Sequence, residues 1–333
     1  MAKLILHIGT HKTATTTVQD TFYANRALLA DYGVIYPDLG RHTGHHGLLT
    51  DWVALPETYK LRFGGIGTLR ALAEQYVDGD KTLFLSSEEF SRGGGHGGQV
   101  DMRALADIFA GFQSIQIICF LREQWQFLQS VYLEIARTRI PDRPLVLVDT
   151  ALKTGVIDGL WCDYRNLYDH LRTGFLAEDI HFVDYGSARE FDGGVLGQLL
   201  SILDLPFDVQ RLTQVNNAAS NVSGLPLPTW AGFTIADGLV TDVEFKSAVT
   251  TAFELEFGTD AKSCLFTRKE MKQISNHFEP KNTELVNRIR TVQPGFKMTA
   301  GFPERGTIYR EDLAESFWVR SARRIYLSSL VKA

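Results

Sequence analysis

A lysine followed by a cluster of threonines, close to the beginning of the chain, is the pattern with the clearest chemical meaning. The apolar run 4–8 ends at Gly9, and a short polar turn then carries Lys12 into the threonine-rich segment 13–16. This order predicts a β-strand, a short loop and the start of an α-helix. The first amides of a helix lack intrahelical partners and carry partial positive charge, so they bind anions. With the added charge of Lys12, the stretch predicts a site for a phosphate-like group.

The spacing of this loop differs from that of the ATP-binding P-loop, G-x-x-x-x-G-K-[ST], which has a second glycine before the lysine. Here Gly9 precedes Lys12 by three positions, and the small residue Ala14 follows the lysine. The stretch Lys-Thr-Ala-Thr-Thr resembles the 5′-phosphosulfate-binding loop of sulfotransferases, which has the pattern Lys-Ser/Thr-Gly-Thr-Thr. These enzymes use 3′-phosphoadenosine 5′-phosphosulfate (PAPS) as donor. A positive φ at Ala14, where relatives have glycine, would be strained. The resemblance implies a set of donor-binding residues: His11 (unless it faces solvent), Lys12, Thr13, Ala14, Thr15 and Thr16.

A second segment adds a cationic side chain at the end of another predicted strand. The apolar run 115–121 ends at Arg122, and Ser130 follows eight positions later in a predicted helix. Sulfotransferases bind the 3′-phosphate of the donor with an arginine and a serine at this spacing, which spans about two helical turns. The alternative is an arginine at the sheet edge and a solvated serine. Tyr185, which follows the strand predicted at 180–183, resembles a tyrosine of the adenine pocket in many relatives.

Two groups of residues are candidates for the base that removes a proton from the acceptor. Glu88 follows the strand predicted at 82–85, close to where sulfotransferases place their base, and Glu89 is the alternate because the phase of the turn is unknown. The alternative interpretation is that these glutamates cap a helix or pair with a lysine. The segment 42–46 contains three histidines, and we expect this polar loop to line the acceptor cleft. His46 is our candidate base among them. Their spacing permits metal binding, but no fourth ligand stands out, so we expect no metal.

The reaction that the resemblance implies is in-line transfer of a sulfuryl group from PAPS to a hydroxyl or amine acceptor. Negative charge develops on the bridging oxygen of the leaving 5′-phosphate, and Lys12 and the helix-start amides stabilise it. The resemblance is to bacterial, carbohydrate-type sulfotransferases, which often use a glutamate base, so a carbohydrate is favoured as acceptor. Two alternatives stay open: a P-loop nucleotide or small-molecule kinase, and a non-catalytic nucleotide- or glycan-binding protein.

Beyond about residue 225 the resemblance is poor. The Arg-Lys-Gly segment that completes the 3′-phosphate site of small-molecule sulfotransferases is missing, so another group replaces it or the phosphate is held less fully. The basic, aromatic helix predicted around Arg320, Arg323 and Arg324 holds an anionic acceptor, supplies that contact or faces a partner subunit. The segment 221–223 resembles an Asn-x-Ser stretch of bacterial sulfotransferase-like proteins, and a polar loop is its equal alternative.

A parallel sheet is needed to position these residues. Apolar strands separated by helical patterns predict an α/β fold, a P-loop-type parallel β-sheet flanked by helices, with ligands beyond the carboxyl ends of the strands. We expect a single domain over 1–333, with a nucleotide-binding core at 1–205 and a mainly helical C-terminal extension at 206–333. Beside the strands already given and one at 33–37, the predicted helices lie at 14–31, 66–77, 101–112, 124–137, 159–172 and 193–203.

Composition narrows the class of protein. The 333-residue chain has a formal net charge of −5, which excludes the general basic field of a nucleic-acid-binding protein. Three widely spaced cysteines indicate neither a disulfide framework nor a metal site, and they favour a reducing cytoplasm. No apolar run approaches the ~18 residues of a membrane span. We therefore expect a cytoplasmic enzyme that acts on a small molecule or glycan, either alone or as a homodimer.

Overall fold

The structure is a computed structural model that describes residues 2–213, 215, 224–237, 239 and 242–330. The segment 221–223, in which the sequence pattern indicates an Asn-x-Ser stretch, lies outside the described residues. The chain forms two compact units, each assembled from three segments. The first unit comprises Met1–Glu123, Gly155–Asn221 and Glu279–Thr299, and the second comprises Gln124–Thr154, Val222–Phe278 and Ala300–Ala333.

The strands of the described residues are β1 (Lys3–His7), β2 (Val34–Ile35), β3 (Thr82–Ser86), β4 (Ser114–Leu121), β5 (Val156–Ile157), β6 (Leu160–Trp161), β7 (Ile180–Asp184), β8 (Ser263–Cys264) and β9 (Ile308–Tyr309). Five strands of the first unit form one sheet in which every neighbouring pair is parallel, in the order β2-β3-β1-β4-β7. Two short pairs do not belong to this sheet: β5 and β6 are antiparallel, and β8 and β9 of the second unit are parallel.

The helices that connect these strands also make up most of the C-terminal region. They are α1 (Thr15–Ala24), α2 (Arg26–Asp31), α3 (Gly65–Tyr76), α4 (Met102–Ile108), α5 (Gln124–Thr138), α6 (Pro144–Thr154), α7 (Tyr164–Leu171), α8 (Tyr185–Glu190), α9 (Gly194–Ile202), α10 (Pro226–Ala236), α11 (Val243–Phe257), α12 (Arg268–Ile289) and α13 (Glu315–Leu330). The predicted α/β fold, with a parallel sheet flanked by helices and a mostly helical C-terminal region, is confirmed.

Both faces of the five-stranded sheet are buried, which explains why its strands are nearly continuous apolar runs. In β1, Leu4 and Leu6 belong to the apolar cluster on one face, and Ile5 belongs to the cluster on the other. The same alternation continues in β4, where Cys119 joins the first cluster and Phe120 the second. Because the sheet is held on both sides, the loops that follow its strands are attached to a rigid frame.

The helix predicted over 14–31 is interrupted at Asn25. The side chain of Asn25 donates to the carbonyl of Thr21 at 2.7 Å and to that of Thr213 at 2.9 Å, and its oxygen accepts from the amide of Thr213 at 2.9 Å. An asparagine that competes for backbone groups in this way ends a helix. The sequence pattern does not reveal the break because Thr213 is distant in the chain.

The helix predicted over 159–172 begins later, at Tyr164, and its first residues belong to a hairpin instead. β5 and β6 pair across Asp158 and Gly159, whose φ values are 51° and 75°. Two positive φ angles are typical of a type I′ turn, for which Asp-Gly is a preferred sequence. Asp163 then caps α7 by accepting the amide of Arg165 at 3.2 Å.

The second unit has an apolar cluster of its own, formed chiefly by α10, α11 and α13. Its fully buried members are Leu227, Ala231, Val249, Ala252, Phe253 and Phe317. On α13, Arg320 pairs with Glu256 of α11 at 3.0 Å, so at least this residue of the basic helix is engaged within its own unit.

None of the described helices combines the length and the apolar character needed to cross a membrane. The three cysteines are free and buried.

Candidate active site

The loop between β1 and α1 is turned by residues in the left-handed region and anchored to the neighbouring strand. Lys12 and Ala14 have φ values of 64° and 63°. The amide and hydroxyl of Thr10 donate to the carbonyl of Phe120 in β4, at 2.9 and 3.1 Å. The hydroxyl of Thr13 donates to the carbonyl of Thr10 at 2.5 Å. These bonds hold the loop at the carboxyl end of the central strands.

The N-terminus of α1 has no hydrogen bond to the side chain of its N-cap residue. Its N-cap residue is Ala14, which has no side chain able to accept a hydrogen bond, and its first turn contains no acidic residue. Thr15 is buried and Thr16 is exposed. An uncapped helix start that carries partial positive charge next to Lys12 is suited to an anionic ligand.

Ala14 occupies the left-handed conformation, at the position where the sulfotransferase loop pattern that the sequence resembles has glycine. We expect Ala14→Gly to stabilise the protein by about 0.5–1 kcal/mol, because relief of the Cβ strain exceeds the entropy gained by the unfolded chain. Ala14→Val should destabilise it by more than about 1 kcal/mol, since a β-branched residue is a strong outlier at positive φ. Urea unfolding midpoints of the two variants measure both effects. An Ala14→Gly protein less stable than the original would contradict the expected backbone strain at Ala14.

Arg122, the first residue after β4, lies directly beside this loop. Its Nη1 donates to the carbonyl of Lys12 at 3.0 Å, and its guanidinium carbon is 5.4 Å from the ring centre of Tyr185. The hydroxyl of Tyr164 donates to the carbonyl of Arg122 at 2.5 Å. The buried Nε of Arg122 has no hydrogen-bond partner among the described residues. Burial lowers the pKa of Arg122, so this poorly solvated cation would gain from an anionic partner.

The structure thus brings together three of the residues predicted to bind the PAPS donor, Lys12, Arg122 and Tyr185, within the first unit. Ser130, the predicted partner of Arg122, is a buried residue of α5 in the second unit. Its contribution to a 3′-phosphate site stays a prediction.

Glu88 approaches the same loop from the end of β3. It begins the 3-10 helix Glu88–Ser91, and a Cβ placed on Gly9 would lie 3.0 Å from the Cβ of Glu88. The missing side chain at Gly9 therefore allows the glutamate to pack against the loop. Its Oε2 accepts a hydrogen bond from Nε2 of Gln19 at 2.8 Å and lies 3.9 Å from Nδ1 of His46.

The environment of Glu88 favours its ionised form. Burial by itself would raise the pKa of this carboxyl, since the side chain is only 17% exposed. The nearby His46 and His11, together with hydrogen bonds that include the one from Gln19, outweigh the burial and lower the pKa of Glu88 below its ordinary value. The group is thus a carboxylate at neutral pH, ready to accept a proton.

Glu89 is engaged differently from Glu88. Its Oε2 accepts from Nε of Arg92 at 2.6 Å, and its Oε1 lies 3.4 Å from Nε2 of His11. Burial would raise its pKa, but His11 and Arg92 lower the pKa of Glu89 to about 2. With both oxygens paired and so low a pKa, Glu89 is better suited to hold Arg92 and His11 in place than to accept a proton.

The structure also separates the three histidines of the segment 42–46. His45 donates through Nε2 to the carbonyl of Pro37 and accepts at Nδ1 from the amide of Ser86, both at 2.9 Å. Burial lowers the pKa of His45 to about 4, so it stays neutral in the core. His42 donates to the carbonyl of Thr58 at 3.2 Å. His46 is the histidine that lies beside the Glu88 carboxylate.

Comparison with known proteins gives matches among solved structures. No protein-family model matches the chain, and neither does any curated protein. Among solved structures, a sulfotransferase from Alicyclobacillus acidocaldarius aligns over 86% of this chain and 95% of its own, with 12% identity and a TM-score of 0.46. The mouse sulfotransferase SULT7A1, complexed with PAP, aligns over 89% of this chain and 88% of its own, with 12% identity and a TM-score of 0.38. The chain is similar to solved sulfotransferases.

One residue of the candidate site, Gln19, was not predicted from the sequence. It lies on the buried side of α1 with Thr15, Val18 and Phe22. A glutamine inside such a face at helical spacing needs a polar partner, because an unpaired buried amide is costly. That signal predicts a partner for Gln19 but does not identify Glu88.

Within the described part of the chain, no group of three or more His, Cys, Asp or Glu side chains is arranged to hold a metal ion.

Proposed function

We propose that the protein is a PAPS-dependent sulfotransferase that transfers a sulfuryl group to a hydroxyl or amine acceptor. Arg122 supports this proposal most directly. Its buried guanidinium, with an unpartnered Nε, is bonded to the carbonyl of Lys12 in a loop that ends at an uncapped helix. Two cationic residues so close together suit a nucleotide with two separate phosphate groups, one on the loop and one on the arginine.

The donor would be held by residues of the first unit. We assign its 5′-phosphosulfate to Lys12 and the α1 amides, its 3′-phosphate to Arg122, and its base to the neighbourhood of Tyr185. The ring of Tyr185, 5.4 Å from the Arg122 guanidinium, is a flat surface on which an adenine can stack.

The reaction forms a bond between an acceptor oxygen or nitrogen and sulfur, while the bond between sulfur and the bridging oxygen of the 5′-phosphate breaks. Charge that develops on the bridging oxygen is stabilised by Lys12 and the helix-start amides, and adenosine 3′,5′-bisphosphate leaves. The acceptor proton passes to the carboxylate of Glu88. His46, 3.9 Å from that carboxylate, positions the base or replaces it.

A thermal-shift experiment tests the donor. We expect adenosine 3′,5′-bisphosphate without magnesium to raise the melting temperature by a few degrees, since a ligand at a hundredfold excess over its Kd stabilises by about 2.7 kcal/mol. ATP with magnesium should change it little, because the loop lacks the second glycine of the ATP-binding spacing. The reverse pattern would favour a kinase and would overturn the proposal.

Turnover separates an enzyme from a protein that only binds nucleotide. Release of adenosine 3′,5′-bisphosphate from PAPS can be followed with glycans, phenols and amines as acceptors. A protein that binds the bisphosphate tightly but turns over none of these acceptors would be a binding protein. A carbohydrate is the acceptor class we favour, on the strength of the glutamate base.

A further inference from the structure

A pocket of about 380 Å³ lies beside the candidate base in the first unit. Its walls come from two neighbouring stretches of chain, 39–47 and 57–62. The volume is within the range of small-molecule sites. Neither the donor loop nor Arg122 lines this pocket, so it is available to a different molecule.

The lining of the pocket is basic. Arg41, Lys60 and Arg62 contribute three cations, and of the described residues that line the pocket Glu57 is the one acid. Glu57 pairs with Lys60 at 2.7 Å, so Arg41 and Arg62 remain without an acidic residue in the lining. The whole chain has a net charge of −5, so this positive charge is local to the pocket. Arginine guanidinium groups bind carboxylate and phosphate oxygens in a bidentate way.

Two contacts connect the pocket with the Glu88 carboxylate. Tyr59 lines the pocket, and its ring centre is 5.0 Å from that of His46, the neighbour of Glu88. Gly44 lines it too, and a Cβ on Gly44 would come within 2.5 Å of the Gln19 amide oxygen and 2.7 Å of Nε2 of His46. His46 and Gln19 therefore connect the residues that line the pocket with the Glu88 carboxylate.

We infer that this pocket binds an anionic group of the acceptor, a carboxylate or a phosphate ester, and thereby selects negatively charged acceptors. The inference rests on the proposed function for the acceptor role, because His46 and Gln19 connect the pocket with Glu88, the group proposed to remove the acceptor proton. Arg41 and Arg62 hold the anion, and the Tyr59 ring supports the uncharged part of the molecule. The specificity of the enzyme is then set by charge.

Calorimetric titration with three probes that differ only at carbon 6 tests the inference: 4-nitrophenyl β-D-glucoside, the corresponding glucuronide and the glucoside 6-phosphate. Each is titrated into the full-length protein saturated with adenosine 3′,5′-bisphosphate, and again without it. At least one anionic probe should bind about tenfold or more tightly than the neutral glucoside, since hydrogen bonds to charged groups contribute about 1.5–3 kcal/mol. The ratio between glucuronide and phosphate identifies the preferred anion.

The double variant Arg41→Gln/Arg62→Gln should lose this preference, whereas Arg70→Gln should keep it. All three arginines are exposed, so the variants are expected to fold, and Arg70 lies on α3 outside the pocket lining. Equal binding of the three probes, no binding of any probe, or an anion preference that survives the double change would overturn the inference.

Failure of the proposed function has a different signature. If the anionic probes bind and the double variant loses them, but adenosine 3′,5′-bisphosphate neither stabilises the protein nor affects probe binding, the anion pocket stands and the sulfotransferase proposal falls. If the bisphosphate stabilises the protein and no probe binds, the donor site stands and the pocket inference falls.

Discussion

Replacing Lys12 by alanine is expected to lower the rate of sulfuryl transfer by about 10²–10³-fold, the usual effect of removing one preorganised group that stabilises charge in a transition state. The expected loss is in kcat, because charge on the leaving 5′-phosphate oxygen grows only as the bond to sulfur lengthens. The backbone of the loop should survive, since its anchors are the bonds of Thr10 to Phe120 and of Thr13 to Thr10.

Steady-state turnover of PAPS measures the loss of kcat, and the circular dichroism spectrum of the variant shows whether the fold is kept. Lys3→Ala is the matched control, because Lys3 is an exposed lysine at the start of β1 and its removal changes the net charge equally. A Lys12→Ala protein that is folded and as active as the Lys3→Ala protein would exclude Lys12 from the chemistry.

The second large effect is expected for Glu88→Gln, which should lower turnover by about 10²–10⁴-fold, the range for loss of a general base. Affinity for adenosine 3′,5′-bisphosphate should be kept, because glutamine preserves the size of the side chain and an acceptor oxygen for Gln19. The depressed pKa of Glu88 also predicts the pH dependence. The carboxylate stays ionised until the pH falls below the ordinary range of glutamate, so kcat should not fall between pH 8 and about pH 5.

Glu89→Gln is the matched control for this prediction. It should affect stability more than rate, because it weakens the bonds to Arg92 and His11 that hold the pKa of Glu89 at about 2. A Glu88→Gln enzyme with unchanged turnover would assign the base role to a histidine or to another carboxylate. A rate that also falls through the neutral range would favour a histidine, with His46 as the candidate.

The elements that are contiguous in the chain were predictable. The strand, loop and helix around Lys12 follow one another directly, and so do β4 and Arg122. Local patterns therefore predicted the parallel sheet and the position of both cations at the carboxyl ends of its strands. The hairpin at Asp158 and Gly159, where a helix was predicted, could also have been predicted from the sequence. An Asp-Gly pair is a preferred sequence for a turn with two positive φ angles.

Contacts between distant residues were beyond such patterns. The sequence offered Glu88 as the candidate base and Glu89 as its alternate. The folded chain shows that Arg92 and His11 engage Glu89, whereas Gln19 and His46 lie beside Glu88. The break at Asn25 likewise depends on Thr213, which is 188 positions away.

The amino-acid sequence by itself determined the class of fold and predicted an anion site, because the period of apolar residues and a lysine- and threonine-rich helix start after a strand are local properties of the chain. Tertiary structure decided which carboxylate stands free of an arginine, which histidine stays neutral in the core, and where a basic pocket opens beside the base. Those outcomes depend on burial and on partners brought from remote segments, and burial and charge pairing together set the protonation of a side chain.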